Sequence, residues 1–294
     1  MNPEDKLGRV ACEKLLHFME IAYPYVPPEQ KLHKKIDPRK ILDFADPHEP
    51  YSCEKVYQDA LQSHHDARRV IVAGDLGDYY SKSRFIKTRN VSFVKELRSV
   101  FFRMEWLSTH FQEVEIMVGN HDNRAEKKLQ VLLGENSDLL ALIQPNLISE
   151  LASFFPNIKI VGIELKLLGI DEYVPKLVSH IHQVGDIIFT HAERSNIVSD
   201  TLLKNISIYL HKWKNYLGLR PYRVIVQAHN HQDKKMTEGT EKWFLTPCVM
   251  ESKSIGAEYI LAPKMYGSPP AVGYAVFYQD NGVTDYNNSG NVLI

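Results

Sequence analysis

The chain has 294 residues, of which 44% are hydrophobic and 24% charged, and its formal net charge at pH 7 is −1. This composition is typical of a globular protein and argues against one that coats long nucleic acids, which would carry a large basic surface. The three cysteines, Cys12, Cys53 and Cys248, are far apart and form no CxxC pair, so we expect reduced thiols. Neither a signal-like N-terminus nor an apolar run of about 18 residues occurs, so we expect a cytoplasmic protein without membrane contact.

The predicted elements begin with a helix at about positions 4–21, followed by the proline-bearing connector YPYVPPEQKLHKK. From Arg39 onward, short runs rich in Val and Ile alternate with longer helical patterns. The runs are KILDFAD, RVIVAGD, VEIMVGNHD, IKIVGIE, DIIFTHAE and RVIVQAHNH. Such runs are typical of strands that are buried on both faces, with helices packed against the sheets. The alternation predicts an α/β fold.

Three helices are predicted within this region. The clearest covers Val91–Phe111, whose apolar side chains fall near one helical face and are most simply core packing. A second helix follows the GNHD run, and a third spans about Val198–Leu217.

The chain changes character after His231, where strand and turn patterns replace the helical ones and predict an antiparallel region closing one edge of the fold. No convincing linker divides the sequence. We therefore expect a single domain over residues 1–294, with a helical N-terminal extension in 1–35 and a β-rich closing segment in 232–294.

Five of the apolar runs lead into residues that can bind a metal ion. These residues are Asp46 and His48 in FADPHEP, Asp75 and Asp78 in AGDLGD, Asn120, His121 and Asp122 in VGNHD, His191 in FTHAE, and His229 and His231 in QAHNH. A single histidine at a strand end is usually structural, and a Gly/Asp turn often ends a strand. However, α/β sheets build active sites at the carboxyl ends of their strands, and five such elements in order predict a metal site there.

Spacing suggests how two of these elements present their side chains. Residues i and i+2 of a strand face the same way, so the pair Asp46 and His48 and the pair His229 and His231 could each direct two ligands to one side.

The order D-x-H, G-D-x-x-D, G-N-H-D, a lone H and x-H-x-H resembles that of the calcineurin-like metallophosphoesterase superfamily, over about positions 46–231. The resemblance implies two stacked mixed β-sheets flanked by helices, a four-layer αββα sandwich with two divalent metal ions. It implies a first ion held by Asp46, His48, Asp75 and His231, and a second held by Asp75, Asn120, His191 and His229. Asp75 would bridge the two ions. Mn²⁺ is the expected metal, although this mixed ligand set would also accept Fe, Zn, Ni or Co.

The resemblance also implies a mechanism, in which a hydroxide bridging the two ions attacks the phosphate ester. His121 would then donate a proton to the leaving group, with Asp122 orienting its ring and raising its pKa. A role for His121 as a ligand or structural residue is the alternative. Asp78 has no ligand role in this scheme and is either a hydrogen-bond partner behind the ligands or a turn former.

Departures from the superfamily pattern narrow the expected substrate. Ser/Thr protein phosphatases would read GDxxDRG and GNHE, whereas Tyr79 follows Asp78 here and the third motif is GNHD. The stretches GDLGDYYSKSRF and GNHDNRAEKKL are similar to phage- and prophage-type members. Within them, Arg84 and Arg124 are the residues expected to bind a substrate phosphate, because a guanidinium matches phosphate geometry.

We therefore expect a dinuclear metal-dependent phosphoesterase that acts on a phosphodiester, a nucleotide or a nucleic-acid-derived substrate. One alternative is a DNA exo- or endonuclease of the same superfamily, for which a dimer could build a groove. The other, from a different class, is a non-catalytic scaffold that keeps the fold.

Overall fold

The protein is described here by a computed structural model that covers residues 13–22, 24–32, 35–83, 90–124, 147–164, 180–192, 199–251 and 270–294. The strands are, in chain order, β1 (Asp37–Phe44), β2 (Ala67–Ala73), β3 (Glu113–Met117), β4 (Ile158–Val161), β5 (Ile163–Glu164), β6 (His180–Val184), β7 (Ile187–His191), β8 (Val224–Gln227), β9 (Lys234–Glu238), β10 (Glu241–Leu245), β11 (Gly273–Asp280), β12 (Val283–Thr284) and β13 (Gly290–Leu293). The helices are α1 (Glu54–His64), α2 (Phe93–His110), α3 (Leu147–Ala152) and α4 (Ser199–Trp213), with a 3₁₀ turn at Tyr80–Lys82.

The strands form two mixed sheets. Sheet 1 has the order β12-β11-β1-β2-β3-β4, with β13 also paired to β11, and sheet 2 has the order β5-β6-β7-β8-β10-β9. In sheet 1, β1 to β4 run parallel, while β11 joins β1 antiparallel. In sheet 2, β7, β8 and β10 run parallel.

Strand β1 shows how the chain fills the layers. Ile41 and Ala45 lie in an apolar cluster with residues of sheet 2, whereas Leu42 and Phe44 lie in a cluster with the helices that cover sheet 1. This alternation follows from the two-residue period of a strand, and each fully buried Leu or Phe stabilises the fold by about 1.5–3 kcal/mol. Helices α1, α2 and α3 pack on the outer face of sheet 1, and α4 packs on the outer face of sheet 2. The predicted architecture of two mixed sheets flanked by helices is therefore confirmed.

The segment after position 231 is β-rich in its described part and lies at one edge of each sheet. Its strands enter both sheets, because β9 and β10 belong to sheet 2 while β11, β12 and β13 belong to sheet 1. Strand β10 pairs parallel with β8, so this segment is not purely antiparallel. The helix expected after the GNHD run falls largely outside the described residues.

Smaller expectations can be checked within the described part of the chain. The predicted N-terminal helix is present where it is described, at residues 13–18, and Leu16 and Met19 are fully buried in the cluster that includes α2. Cys53 and Cys248 are free, whereas Cys12 lies outside the described residues. No helix in the described ranges has the length and hydropathy needed to cross a membrane.

Candidate metal centre

The predicted ligands follow strands whose carboxyl ends meet at one edge of the two sheets. Strands β1, β2 and β3 are neighbours in sheet 1, and β7 and β8 are neighbours in sheet 2. Parallel neighbours end side by side, and the stacked sheets bring the two sets of ends together. The candidate residues at or beyond these ends are Asp46, His48, Asp75, Asp78, Asn120, His121, Asp122, His191, His229 and His231.

Three groups of three possible ligands lie among the described residues of these loops, and one of them consists of His48, Asp78 and His121. Asp46, His48 and His231 bring one ligand atom each to within 4.8 Å of one another, and Asp75, His191 and His229 form a second group of the same kind. Asp75 connects the groups, because its Oδ2 lies 3.4 Å from His191 Nε2 and 3.9 Å from His48 Nε2. The groups around Asp46 and Asp75 contain six of the seven ligands that the sequence resemblance implies, whereas the third group adds Asp78 and His121, which the resemblance does not count as ligands.

The separations are suitable for a shared cation. Two ligand atoms about 2.1 Å from one ion, in tetrahedral or octahedral arrangement, lie about 3.0–3.4 Å apart. Here the separation between Asp75 Oδ2 and His191 Nε2, 3.4 Å, lies within this range, whereas that between Asp46 Oδ2 and His231 Nε2, 3.9 Å, is longer and would have to shorten around an ion. The donors are carboxylate oxygens and imidazole nitrogens, the set that Mn, Fe, Co, Ni and Zn accept.

Buried ligand atoms without hydrogen bonds provide a second test of fit. Among the described residues, His48 Nε2, Asp75 Oδ2 and Asn120 Oδ1 are buried and have no hydrogen-bond partner. A buried polar atom left unpaired costs about 1–3 kcal/mol. Such an atom therefore indicates a functional role or a bound water molecule or ion. The residues therefore fit a metal centre on both geometry and chemistry.

The backbone of the ligand loops adopts an unusual conformation. Five predicted ligands, Asp46, His48, Asp75, His229 and His231, have positive φ values of 49°, 53°, 49°, 78° and 52°. A non-glycine residue in this region costs about 1–2 kcal/mol, and such strain concentrates at functional sites. The expectation that each i, i+2 pair extends from a strand is wrong, because β1 ends at Phe44 and β8 ends at Gln227. Left-handed turns, not extended strands, direct these side chains into the site.

Two glycines allow the ligands to approach the backbone closely. A Cβ atom on Gly74, whose φ is +89°, would lie 2.2 Å from His191 Cδ2. A Cβ atom on Gly119 would lie 2.1 Å from Asp75 Oδ1. Any side chain at either position would displace a ligand, which explains glycine in the sequences AGD and VGN.

Hydrogen bonds hold the two central carboxylates in place. The backbone N–H of His121 donates to Asp75 Oδ1 at 2.7 Å, which leaves Asp75 Oδ2 directed at the ligand histidines. Asp46 Oδ2 accepts the backbone N–H of His229 at 2.7 Å, and Asp46 Oδ1 lies 3.1 Å from His191 Nε2. The second contact joins the two ligand groups across the sheets.

The electrostatic environment divides the histidines into two classes. Burial lowers the pKa of His229 to about 3 and that of His231 to about 4, so both rings are neutral at pH 7 and can coordinate a metal. Burial also acts to lower the pKa of His191, but Asp75 and Asp46 outweigh it and raise the pKa to about 10. His191 therefore carries a proton in the place that a cation would take.

Asp78 is a hydrogen-bond partner of two histidines, which decides between the two roles left open by the sequence. Its Oδ1 lies 3.0 Å from His48 Nδ1 and 2.8 Å from His121 Nδ1. Both rings can donate N–H from Nδ1, so both direct Nε2 towards Asp75 Oδ2, at 3.9 Å in each case. Burial acts to raise the pKa of Asp78, but the two histidines hold it well below its usual range.

The expectation that Asp122 orients His121 is wrong. The carboxylate of Asp122 accepts backbone N–H groups from Leu76, Gly77 and Gly119 at 3.3, 2.9 and 2.8 Å, so it ties the second ligand loop to the third. Burial and the neighbouring Asp75 raise its pKa to about 7, against the effect of these N–H groups.

The predicted increase in the pKa of His121 is also wrong. Burial lowers this pKa, the guanidinium of Arg124 lowers it further, and together they outweigh the carboxylates of Asp75 and Asp78.

Of the two arginines predicted to bind phosphate, only Arg124 lies within the described residues. Arg124 lies at the site, with Nη2 2.7 Å from His121 Nε2 and Nη1 donating to the Asp78 carbonyl oxygen at 2.7 Å. Because guanidinium can only donate, His121 Nε2 is an acceptor in this contact and the ring is neutral. Arg84 lies outside the described residues.

Sequence reasoning missed a group of side chains behind the ligand loops. Glu49, Glu96 and Arg103 are buried or nearly so, and all three contact these loops. Glu96 accepts the backbone N–H of Ser81, next to the 3₁₀ turn that follows Asp78. Their spacing along the chain does not predict that they contact each other or the ligand loops. The one available signal was the presence of charged residues, Glu96 and Arg103, in the otherwise apolar pattern of α2.

No protein-family model matches the sequence, and no curated protein is significantly similar to it. Among solved structures, the chain is similar to wild-type Vps29 from Entamoeba histolytica complexed with zinc, at 11% identity over 86% of this chain and 98% of that chain, with a TM-score of 0.41. It is similar to a novel archaeal phosphodiesterase at 13% identity over 87% and 99% of the chains, with a TM-score of 0.38. It is also similar to a predicted phosphoesterase from Streptococcus pneumoniae at 10% identity over 87% and 98%, with a TM-score of 0.35. Identities and TM-scores this low assign neither fold nor activity by themselves.

Proposed function

We propose that the protein is a dinuclear metal-dependent phosphoesterase, a hydrolase of phosphoric ester bonds. The observation that carries this proposal is the pair of ligand groups, Asp46/His48/His231 and Asp75/His191/His229, with Asp75 between them. The first ion would be held by the first group with Asp75, and the second ion by the second group with Asn120. Mn²⁺ is the proposed metal, and Fe, Zn, Ni or Co would suit the same donors.

When bound, two divalent ions of this kind lower the pKa of a water molecule and neutralise phosphate oxygens. The chain's own residues supply the remaining functions. His121 directs Nε2 into the site from the side opposite Asp78 and is the proposed proton donor to the leaving oxygen. Asp78, not Asp122, orients this ring.

Arg124 is the proposed phosphate ligand. Its guanidinium already contacts His121 Nε2, so a substrate phosphate that binds Arg124 would take it from the histidine. The negative charge of the phosphate would then raise the pKa of the His121 ring next to the leaving group. Arg84 remains a second proposed phosphate contact, on the strength of the sequence alone.

We propose a phosphodiester, a nucleotide or a nucleic-acid-derived molecule as the substrate. The near-neutral charge of the chain favours a substrate of limited size over a long nucleic acid. A DNA exo- or endonuclease of the same superfamily is the alternative within this class of enzyme.

Hydrolysis by the Mn²⁺-loaded protein tests this proposal. The substrates are p-nitrophenyl phosphate, bis-p-nitrophenyl phosphate, 2′,3′- and 3′,5′-cyclic nucleotides, and single- and double-stranded DNA. The variant His121→Ala should lose activity about 10²–10⁴-fold, the usual contribution of an acid–base group. His110→Ala is the matched control, because His110 ends α2, which leads to the opposite end of β3.

The outcomes separate the competing functions. Turnover of diesters that collapses only in His121→Ala supports the phosphoesterase, and turnover of DNA alone supports the nuclease. Two bound ions without turnover of any substrate support the scaffold. Absence of metal binding by the wild-type protein would overturn the proposal.

A further inference from the structure

Glu49 directly follows the candidate ligand His48, and its side chain is held from three sides. Its Oε1 accepts Arg103 Nε at 2.6 Å and the Ser52 hydroxyl at 2.7 Å, and its Oε2 accepts the Ser99 hydroxyl at 3.1 Å. Glu49 is only 3% exposed. A buried carboxylate with this many donors is fixed in position.

Arg103 is fixed equally firmly from the other side. Its Nη2 donates to Glu54 Oε2 at 2.7 Å, at the start of α1. The guanidinium carbon lies 3.7 Å from the ring centroid of Tyr57, over the face of a fully buried aromatic side chain. Arg103 therefore joins α2, α1 and the loop that carries Asp46 and His48.

The backbone of Glu49 extends this anchor to the second ligand loop. Its N–H donates to the Leu76 carbonyl oxygen at 2.8 Å, and its own carbonyl oxygen accepts the Asp78 N–H at 3.0 Å. The N–H of His48 donates to the Asp75 carbonyl oxygen at 2.9 Å. Backbone hydrogen bonds therefore join the loop after β1 to the loop after β2 at Glu49, the residue that Arg103 contacts.

The polar residues of α2 lie on one face of the helix. Glu96, Ser99 and Arg103 are spaced i, i+3 and i+7, so they lie in line along the helix. Glu96 holds the Ser81 N–H in the second loop, while Ser99 and Arg103 hold Glu49 in the first. One helix therefore contacts both ligand loops through side chains.

We propose that Arg103 and Glu49 form a positioning pair, which sets the first ligand loop against the second and so fixes the spacing of Asp46, His48 and Asp75. Neither residue is a ligand, and both act through the loop backbone. The inference rests on the proposed metal centre and adds the residues that determine its geometry.

Metal binding by variants of this pair tests the inference, with isothermal titration of Mn²⁺ and the visible spectrum of the Co²⁺-loaded protein as readouts. Arg103→Met keeps an apolar side chain of similar length but removes the guanidinium. It should weaken Mn²⁺ binding at least about tenfold, as loss of supporting contacts does at metal sites. Arg103→Lys keeps the charge and should recover part of this loss, and Ser99→Ala should have the smallest effect. The Co²⁺ spectrum should change in Arg103→Met, because the ligand geometry changes.

Glu241→Gln is the matched control for a general loss of stability. Glu241 is also a buried carboxylate with three side-chain donors, Ser207, His211 and Trp243, but it lies at the start of β10, away from the ligand loops. This variant should lower the melting temperature of the metal-free protein while leaving metal affinity and the Co²⁺ spectrum unchanged.

Three results would overturn the inference. The first is wild-type affinity and an unchanged spectrum in Arg103→Met, or in Arg103→Lys and Ser99→Ala if the methionine variant does not fold. The second is an equal loss of affinity in Glu241→Gln, which would make the effect one of general stability. The third is absence of metal binding by the wild-type protein, which removes the proposed function together with the inference.

Discussion

His48 and His121 share one acceptor, because their Nδ1 atoms lie 3.0 and 2.8 Å from the same oxygen, Asp78 Oδ1. A single carboxylate therefore determines the tautomer and the orientation of a candidate ligand and of the candidate proton donor. Loss of this charge should affect metal binding and catalysis together.

Asp78→Asn should weaken Mn²⁺ binding about 10–100-fold, the effect usual for a residue behind a ligand histidine. The amide oxygen cannot provide the charge that both rings face, and the amide nitrogen repels a ring N–H. Calorimetric titration measures the affinity, with Asp186→Asn as control, since Asp186 is a buried carboxylate that accepts the Thr284 N–H instead. Equal affinity in Asp78→Asn and the wild type would show that the hydrogen bonds of Asp78 to the two rings do not support metal binding.

Gly119→Ala should abolish metal binding, because its Cβ would lie 2.1 Å from Asp75 Oδ1 and 2.2 Å from the Asp75 backbone nitrogen. Either the carboxylate or the third loop must then move. Gly290→Ala is the control, since a Cβ there meets no atom within 4 Å. Metal content by elemental analysis is the measurement, and two ions bound by Gly119→Ala would contradict the proposed bridging position of Asp75.

Metal affinity should increase as the pH rises from 6 to 8. Asp75 and Asp46 raise the pKa of His191 to about 10, so in this range its ring holds a proton that a cation must displace. Each displaced proton makes the apparent affinity about tenfold stronger per pH unit. Titration of Mn²⁺ at pH 6, 7 and 8, in buffers of different ionisation enthalpy, gives both the affinity and the protons released. Affinity that is constant over this range would exclude His191 as a ligand.

Asp43→Asn should change how stability depends on pH in the metal-free protein. Asp43 is fully buried, and burial with the nearby Asp46 raises its pKa well above the usual range. For a raised pKa, the folded state is favoured below the unfolded value of about 3.9, and this stability is lost as pH rises towards the folded value. The loss is about 1.4 kcal/mol for each unit of pKa difference.

Asparagine cannot ionise, so urea unfolding from pH 4 to 8 should show a smaller decrease in stability for Asp43→Asn than for the wild type. Parallel pH profiles for the two proteins would mean that Asp43 is charged in the folded state.

The sequence was sufficient to predict two mixed sheets and most of the residues that lie together at the ends of their strands. Val- and Ile-rich runs identify β1, β2, β3, β7 and β8, because buried parallel strands require them, and the ordered motifs identify the residues beyond their ends. Helix α2 was expected at Val91–Phe111 and is found at Phe93–His110. These features depend on local composition and order, which a sequence records directly.

Features that depend on distant partners were not predictable in this way. Asp122 is adjacent to His121 in sequence, yet the ring contacts Asp78, which is 43 positions away. Arg103 and Glu49 are 54 positions apart, so no local pattern pairs them. The left-handed backbone conformation of Asp46 and His48 was likewise not predictable, because neither residue is the glycine that usually indicates a positive φ.

The hydrogen bond from the His229 N–H to Asp46 Oδ2 joins residues that are 183 positions apart and belong to loops of different sheets. During synthesis, β1 is made early, and this contact cannot form until β8 and the loop that follows it have also been made. The first ligands are therefore made long before their partners, and a truncated product that ends before β8 would lack the metal centre even if sheet 1 had begun to assemble. Metal uptake would report that translation has passed His231 and that the two sheets have docked.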